Sequence, residues 1–171
     1  SINPATEELF AEFKEINLSS TEEIIEESSD SQRNWAAVDI SKRTKIISKI
    51  SDFVRNNKEV FAEIITNEMG KPISESIAEV EKCAWLCDYY FKNADGFLKK
   101  KNIKTDNYKS YITFEPIGLI LGIMPWNFPF WQVFRFAIPS LTAGNGAILK
   151  HASNVQGCAG AIQSCFLDSG Y

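Results

Sequence analysis

The chain has 171 residues, of which 44% are hydrophobic and 23% are charged, and its formal net charge at pH 7 is -4. This length can bury a core, and the mixed composition excludes a disordered or low-complexity chain. The slightly acidic balance provides no basic field for nucleic acid or for an anionic membrane surface, so we expect neither partner.

Helical periodicity dominates the first half of the chain. Ser20 or Thr21 can cap a first helix that has several glutamates near its positive end. A second helix is predicted to start at Ser41, and a third ends at Gly70, a residue suited to a left-handed C-cap. A fourth, long helix is predicted over residues 74–97. The apolar stripes of these helices predict packing into a core.

Short β-like runs broken by glycine and proline follow in the second half. Residues 102–114 interleave polar and apolar side chains around a turn near Asp106, which predicts a hairpin. Residues 117–124 are apolar on both faces, as a buried parallel strand requires. A helix over residues 131–143 and a short strand over 147–150 would complete a right-handed βαβ unit.

The two polar loops of this βαβ unit fall at the carboxyl edge of the predicted sheet, where α/β proteins bind ligands. The first loop places Asn127 between two prolines. Its neutral carboxamide can stabilise an oxygen that becomes negative only in a transition state, although a plain turn role is the alternative. In the second loop, Lys150 and Ser153 can hold a ribose hydroxyl or a phosphate. The alternative for Lys150 is an ordinary solvated lysine.

The histidine and cysteine pattern predicts no metal site and no nucleophile. Cys83 and Cys87 lie one helical turn apart but lack zinc-ligand spacing, and Cys158 and Cys165 stand in no recognisable motif. We expect four reduced thiols. His151, the one histidine, has no catalytic partner nearby in sequence, so we interpret it as non-catalytic.

The apolar stretch over residues 116–149 is interrupted by Arg135 and several prolines, so it cannot form a continuous membrane-spanning helix. The N-terminus lacks the basic start and apolar run of a secretory signal. We therefore expect a cytoplasmic location.

The block Pro-Trp-Asn-Phe-Pro at residues 125–129, within a longer match over 115–132, resembles the aldehyde dehydrogenase superfamily. Residues 2–6, 68–72, 143–145 and 148–150 resemble further landmarks of that family. The resemblance implies an α/β protein with a variant Rossmann fold that lacks the glycine fingerprint. This chain would be the N-terminal part of that fold, with helices flanking a partly parallel sheet.

The same resemblance implies a domain organisation and an assembly. Residues 1–102 and 115–171 would form the N-terminal part of an NAD(P)-binding domain. Residues 103–114 would form a hairpin of an oligomerisation arm, with a homodimer or a homotetramer as the assembly.

The resemblance also assigns site residues. Asn127 would hold the oxyanion that forms when a cysteine attacks the aldehyde, while Lys150 would bind the cofactor. The catalytic cysteine and the general-base glutamate are expected beyond Tyr171, so the chain by itself is expected to be inactive. The cofactor loop of the family corresponds here to four consecutive residues, Ile123, Met124, Pro125 and Trp126.

Two residues refine the cofactor and the substrate that the resemblance implies. Ser153 stands where family members that favour NAD commonly carry glutamate, so NADP should be accepted as well as NAD. Arg135 stands where succinate-semialdehyde dehydrogenases carry an arginine for the remote carboxylate of the substrate; the alternative is a salt-bridged helix residue. We therefore expect a small aldehyde substrate, first succinate semialdehyde. The rivals are a dehydrogenase of glyceraldehyde or lactaldehyde, and a non-catalytic nucleotide-binding or assembly fragment.

Overall fold

A computed structural model describes all residues from Ser1 to Tyr171 as six helices and four short strands. The α/β class and the four helices of the first half are as predicted, with boundaries shifted by a few residues. In chain order the elements are α1 (Leu18–Ala36), α2 (Ile40–Asn56), α3 (Lys58–Met69), α4 (Ile73–Leu98), β1 (Lys101–Ile103), β2 (Ser110–Ile112), β3 (Leu119–Ile123), α5 (Pro129–Thr142), β4 (Gly146–Lys150) and α6 (Gln156–Leu167).

The strands form two separate pairs. Strands β1 and β2 are antiparallel, which confirms the predicted hairpin, and β3 and β4 are parallel and joined through α5, which confirms the βαβ unit. Gly122 lets α5 lie close to β3, because a Cβ atom at this position would lie 2.5 Å from the ring of Phe136.

The core lies between the helices of the first half and the βαβ unit. Ile50, Val54 and Ile65 of α2 and α3 are fully buried, and they belong to one apolar cluster with Phe130 and Phe134 of α5. Helix α5 is therefore a central element of the core, and its first turn follows directly on the loop that carries Asn127.

The C-terminal end of α5 is tied to α1 and α2 by three buried polar side chains. Trp35 donates its indole N–H to the carbonyl of Leu141 at 2.8 Å. Arg43 donates to the carbonyl of Thr142 at 3.1 Å, and Gln32 donates to a carbonyl just past the helix. These bonds satisfy carbonyl groups that a helix end leaves free, and they fix the position of α5.

Three details differ from the sequence predictions. Asn17, not Ser20 or Thr21, caps α1, because its side chain accepts the backbone N–H of Ser20 at 2.8 Å. Helix α2 begins one residue before Ser41. The prediction that the first strand is buried on both faces is wrong for this chain: α5 covers one face of β3, and on the other Leu121 and Ile123 are 59% and 69% exposed.

None of the helices combines the length and the apolarity needed to cross a membrane.

Candidate functional site

The loops after β3 and β4 start side by side at the carboxyl edge of the parallel pair. Ile123 and Lys150 are register partners at the ends of their strands. One residue further on, the backbone N–H of Met124 donates to the carbonyl of Lys150 at 3.0 Å. The structure therefore brings the two predicted ligand loops together at one edge of the sheet.

His151 links the two loops a second time. Its Nδ1 accepts the backbone N–H of Ala152 at 2.8 Å, so the ring proton belongs on Nε2, which donates to the carbonyl of Pro129 at 2.9 Å. Burial is the main reason that the pKa of His151 lies below its ordinary value. A buried neutral imidazole with both nitrogens engaged acts as a structural link between the two loops.

Asn127 is exposed and directly precedes the N-cap residue of α5, which is Phe128. Its carboxamide forms no side-chain hydrogen bond within the chain, and α5 has no side-chain cap in its own loop. The flanking rings of Trp126 and Phe128 are also exposed, at 50% and 44%. The carboxamide is thus free to donate to a ligand.

A groove of about 1170 Å³ lies on the open face of the β3–β4 pair, bounded on its other side by the extended N-terminal segment. Ile123, Lys150 and Ser153 line this groove, together with apolar side chains of both strands. The remaining predicted site residues do not line it: Met124, Pro125, Trp126, Asn127 and Arg135.

Arg135 is exposed on α5, about 9 Å of helix rise beyond Pro129. It belongs to none of the ion pairs of the chain, all of which involve other residues. The alternative interpretation, a salt-bridged helix residue, therefore has no counterpart in this structure.

All four cysteines are free thiols buried in the core. Burial is the first cause of the raised pKa of each, and it brings that of Cys165 to about 12. A cysteine nucleophile needs an accessible thiolate, so none of these thiols has the surroundings of one. No group of three or more potential metal-ligating side chains is brought together.

Three buried charged residues near the starts of α5 and α6, namely Glu68, Lys71 and Glu79, were missed by the sequence predictions. Glu79 forms a buried ion pair with Lys71 and accepts two backbone N–H groups at the start of α5. Glu68 accepts the backbone N–H groups of Gly157 and Cys158, at 2.7 and 2.8 Å, at the start of α6.

The burial of Glu79 could have been predicted from helical spacing. Ser76, Glu79 and Cys83 are spaced three and four residues apart on the buried face of α4, so a carboxylate there lies within an apolar stripe. Both helices that follow the parallel strands thus receive a protein carboxylate at the positive end, the position that binds phosphate in many nucleotide sites. This arrangement agrees with the absence of a glycine-rich phosphate loop.

The family model described as "Aldehyde dehydrogenase family" matches residues 1–171, and the chain belongs to this family. Its variant Rossmann fold, predicted from the resemblance, is confirmed by solved structures. One is succinic semialdehyde dehydrogenase from Streptococcus pyogenes in complex with NADP+, which is 30% identical with a TM-score of 0.93 and is matched over 97% of this chain and 37% of that chain.

Two curated relatives have similar descriptions. A probable NADP(+) succinate-semialdehyde dehydrogenase of Synechocystis sp. is 40% identical over 100% of this chain and 38% of its own length. An NAD(P)+ succinate semialdehyde dehydrogenase of Escherichia coli is 42% identical over 99% of this chain and 37% of its own length. The chain thus spans little more than a third of the relatives that it matches.

Proposed function

We propose that this chain is the N-terminal part of an NAD(P)-dependent aldehyde dehydrogenase, called the parent enzyme below, that oxidises succinate semialdehyde to succinate. The observation that carries the proposal is the meeting of two loops at one sheet edge, one with the free carboxamide of Asn127 and the other with Lys150 and Ser153. The names of the relatives, at 40% and 42% identity, support the substrate.

The cofactor proposal uses the groove beside β4. Lys150 and Ser153 lie together in it, and an ammonium and a hydroxyl are suitable donors for a ribose bearing a phosphate. No carboxylate at position 153 repels a 2'-phosphate, so we propose NADP as well as NAD. The loop from Ile123 to Trp126 would contact the same cofactor. When bound, this cofactor supplies the hydride acceptor of the reaction.

Asn127 is proposed to act on the oxygen of the aldehyde. As a nucleophile attacks the carbonyl carbon, that oxygen becomes negative, and the carboxamide N–H donates to it. A neutral donor stabilises the developing charge without attracting an anion in the ground state. Since the four thiols of this chain are buried, we propose that the nucleophile comes from another part of the parent enzyme, and that the chain by itself shows no turnover.

Arg135 is proposed to bind the remote carboxylate of the substrate. Its guanidinium is exposed and has no acidic partner in the chain, so it can bind a carboxylate with two parallel hydrogen bonds. This feature favours succinate semialdehyde over glyceraldehyde and lactaldehyde, which have no carboxylate.

The hairpin of β1 and β2 is proposed to belong to an oligomerisation arm over residues 103–114, with residues 1–102 and 115–171 in the cofactor-binding domain. Tyr111 and Ile112 on β2 are exposed, so the hairpin has apolar surface that a homodimer or homotetramer could cover.

A substrate panel tests this proposal. The parent enzyme and its Arg135→Ala variant would be assayed for NADP+ and NAD+ reduction with succinate semialdehyde, butanal, glyceraldehyde and lactaldehyde. We expect the variant to lose about 10- to 100-fold in kcat/KM for succinate semialdehyde, as for a lost hydrogen bond to a charged group, and to change little with butanal.

Arg33→Ala is the matched control, because Arg33 is an exposed arginine of α1 that pairs with Asp30. An unchanged preference for succinate semialdehyde in the Arg135→Ala variant would contradict the substrate assignment. Absence of any NAD(P)+ reduction by the parent enzyme would contradict the proposed activity.

A further inference from the structure

The first backbone N–H groups of α5 are bound by a carboxylate from a distant part of the chain. Oε1 of Glu79 accepts the N–H groups of Phe130 and Trp131, each at 2.9 Å and 51 or 52 residues away in sequence. The other oxygen of Glu79 pairs with the ammonium of Lys71, and both side chains are almost completely buried.

The two residues between Asn127 and these N–H groups are held as well. The ammonium of Lys71 lies 3.8 Å from the centroid of the Phe128 ring, a cation–π contact. The carbonyl of Pro129 accepts the hydrogen bond from His151 at 2.9 Å. Every residue from 128 to 131 therefore has a contact from outside α5, and Asn127 is the residue that directly precedes this segment.

Capping alone does not explain this arrangement. A serine or aspartate at position 128 would cap α5 from within its own loop at no cost in buried charge. The N-cap residue is instead Phe128, whose side chain cannot accept an N–H group. A buried ion pair contributes little net stability, because two charges must be desolvated. What the pair does add is a fixed position of the first turn of α5 relative to α4.

We propose that Glu79, held in place by Lys71, is a positioning residue for the carboxamide of Asn127. This inference rests on the proposed oxyanion role of Asn127. By holding the N–H groups of Phe130 and Trp131, the carboxylate fixes the first turn of α5 and so sets the direction in which the side chain of Asn127 leaves the backbone. A displacement of about 1 Å at a reacting group costs on the order of 100-fold in rate, so a loose first turn would reduce the rate even though Asn127 itself is intact.

The test compares two charge-neutral variants of the parent enzyme. Lys71→Met/Glu79→Gln removes both charges and keeps a side-chain oxygen for the N–H groups, whereas Lys71→Met/Glu79→Leu removes that oxygen too. We expect kcat of the leucine variant to be about 10- to 100-fold below that of the glutamine variant, with the KM for NADP+ within about 2-fold. We also expect faster hydrogen exchange of the amides of Phe130 and Trp131 in the leucine variant, because these N–H groups lose their acceptor.

A double-mutant comparison separates positioning from general damage. In an Asn127→Ala background the difference in kcat between the two variants should disappear, because no carboxamide remains to be positioned. Glu68→Leu is the matched control: Glu68 is an equally buried carboxylate with two N–H bonds, but at the start of α6. Its effect on kcat should be the same with and without Asn127.

Equal kcat values in the two charge-neutral variants, or a difference that persists without Asn127, would overturn the inference while leaving the oxyanion role in place. Undiminished kcat in the single Asn127→Ala variant would instead overturn the proposed oxyanion role of Asn127, on which the inference rests. If the leucine variant does not fold, Glu79→Asp replaces it, because its shorter side chain withdraws the carboxylate from the N–H groups by one methylene. A kcat of Glu79→Asp equal to that of the unmodified enzyme would then overturn the inference.

Discussion

Replacing Asn127 with alanine in the parent enzyme should separate catalysis from stability. The side chain is exposed and forms no hydrogen bond within the chain, so its loss should change the free energy of unfolding by less than about 0.5 kcal/mol. Removal of one donor to a developing oxyanion typically lowers kcat by about 100- to 1000-fold, equivalent to about 2.7–4 kcal/mol of transition-state stabilisation. The whole effect should therefore appear in the rate.

The assay combines steady-state kcat at saturating succinate semialdehyde and NADP+ with thermal unfolding of the same preparations. Asn127→Asp should lower kcat at least as far, because a carboxylate donates no hydrogen bond and repels the negative oxygen. Asn34→Ala is the control, since Asn34 is an exposed asparagine of α1, far from the carboxyl edge in sequence. A kcat within about 3-fold of the unmodified enzyme, or a loss of rate matched by a loss of folded protein, would contradict the oxyanion role of Asn127.

Four other substitutions test separate parts of the structure. Ser153→Glu should raise the KM for NADP+ about 10- to 100-fold and leave the KM for NAD+ nearly unchanged, because the new carboxylate repels a 2'-phosphate. Equal changes of the two KM values in steady-state assays would contradict this role of position 153. Gly122→Ala should destabilise the fold by about 1–3 kcal/mol, since its Cβ meets the ring of Phe136. Gly160→Ala should stabilise the fold by about 0.5–1 kcal/mol, because a Cβ at this position of α6 meets no other atom. Urea unfolding measures both changes. Burial lowers the pKa of His151, so the unfolded chain takes up the proton at a higher pH than the folded chain does. The free energy of unfolding should therefore fall as the pH drops through about 6.5. The His151→Gln variant should lose less stability between about pH 7.5 and 5.5, and a loss identical to that of the unmodified chain would contradict this prediction.

Periodicity predicted most of the secondary structure because local patterns determine it. The apolar stripe of α4 is regular over many turns, and the left-handed Gly70 ends α3 as its position before Pro72 predicts. The cap of α1 was missed because Asn17, Ser20 and Thr21 are all good N-cap residues, so residue type alone does not select among them.

The buried charges could not be assigned partners from the sequence alone. The partners of Glu79 and Glu68 become apparent only when α5 and α6 are placed, because the N–H groups that they accept lie 51 to 90 residues away. The partners of Arg43 were equally hidden from the sequence: its buried guanidinium donates to the carbonyl of Thr142 at the end of α5 and to carbonyl groups at and just after the end of α1. Such partners depend on the tertiary arrangement and carry no local pattern.

The meeting of the two loops at one edge of the sheet was predicted, since a βαβ unit puts both strand ends on that edge. The exposure of one face of β3 was not predicted. An apolar run indicates that both faces of a strand are covered, but it does not indicate which part of a protein covers them. Leu121 and Ile123 remain exposed in this chain.

A crystal structure of the parent enzyme with NADP+ would show where the dinucleotide binds relative to Asn127. We expect Lys150 and Ser153 to contact the ribose and its 2'-phosphate, and Nδ2 of Asn127 to face the nicotinamide ring across the space for an aldehyde oxygen. A dinucleotide bound away from the carboxyl edge of β3 and β4, or an Asn127 carboxamide turned from the nicotinamide, would contradict the proposed site.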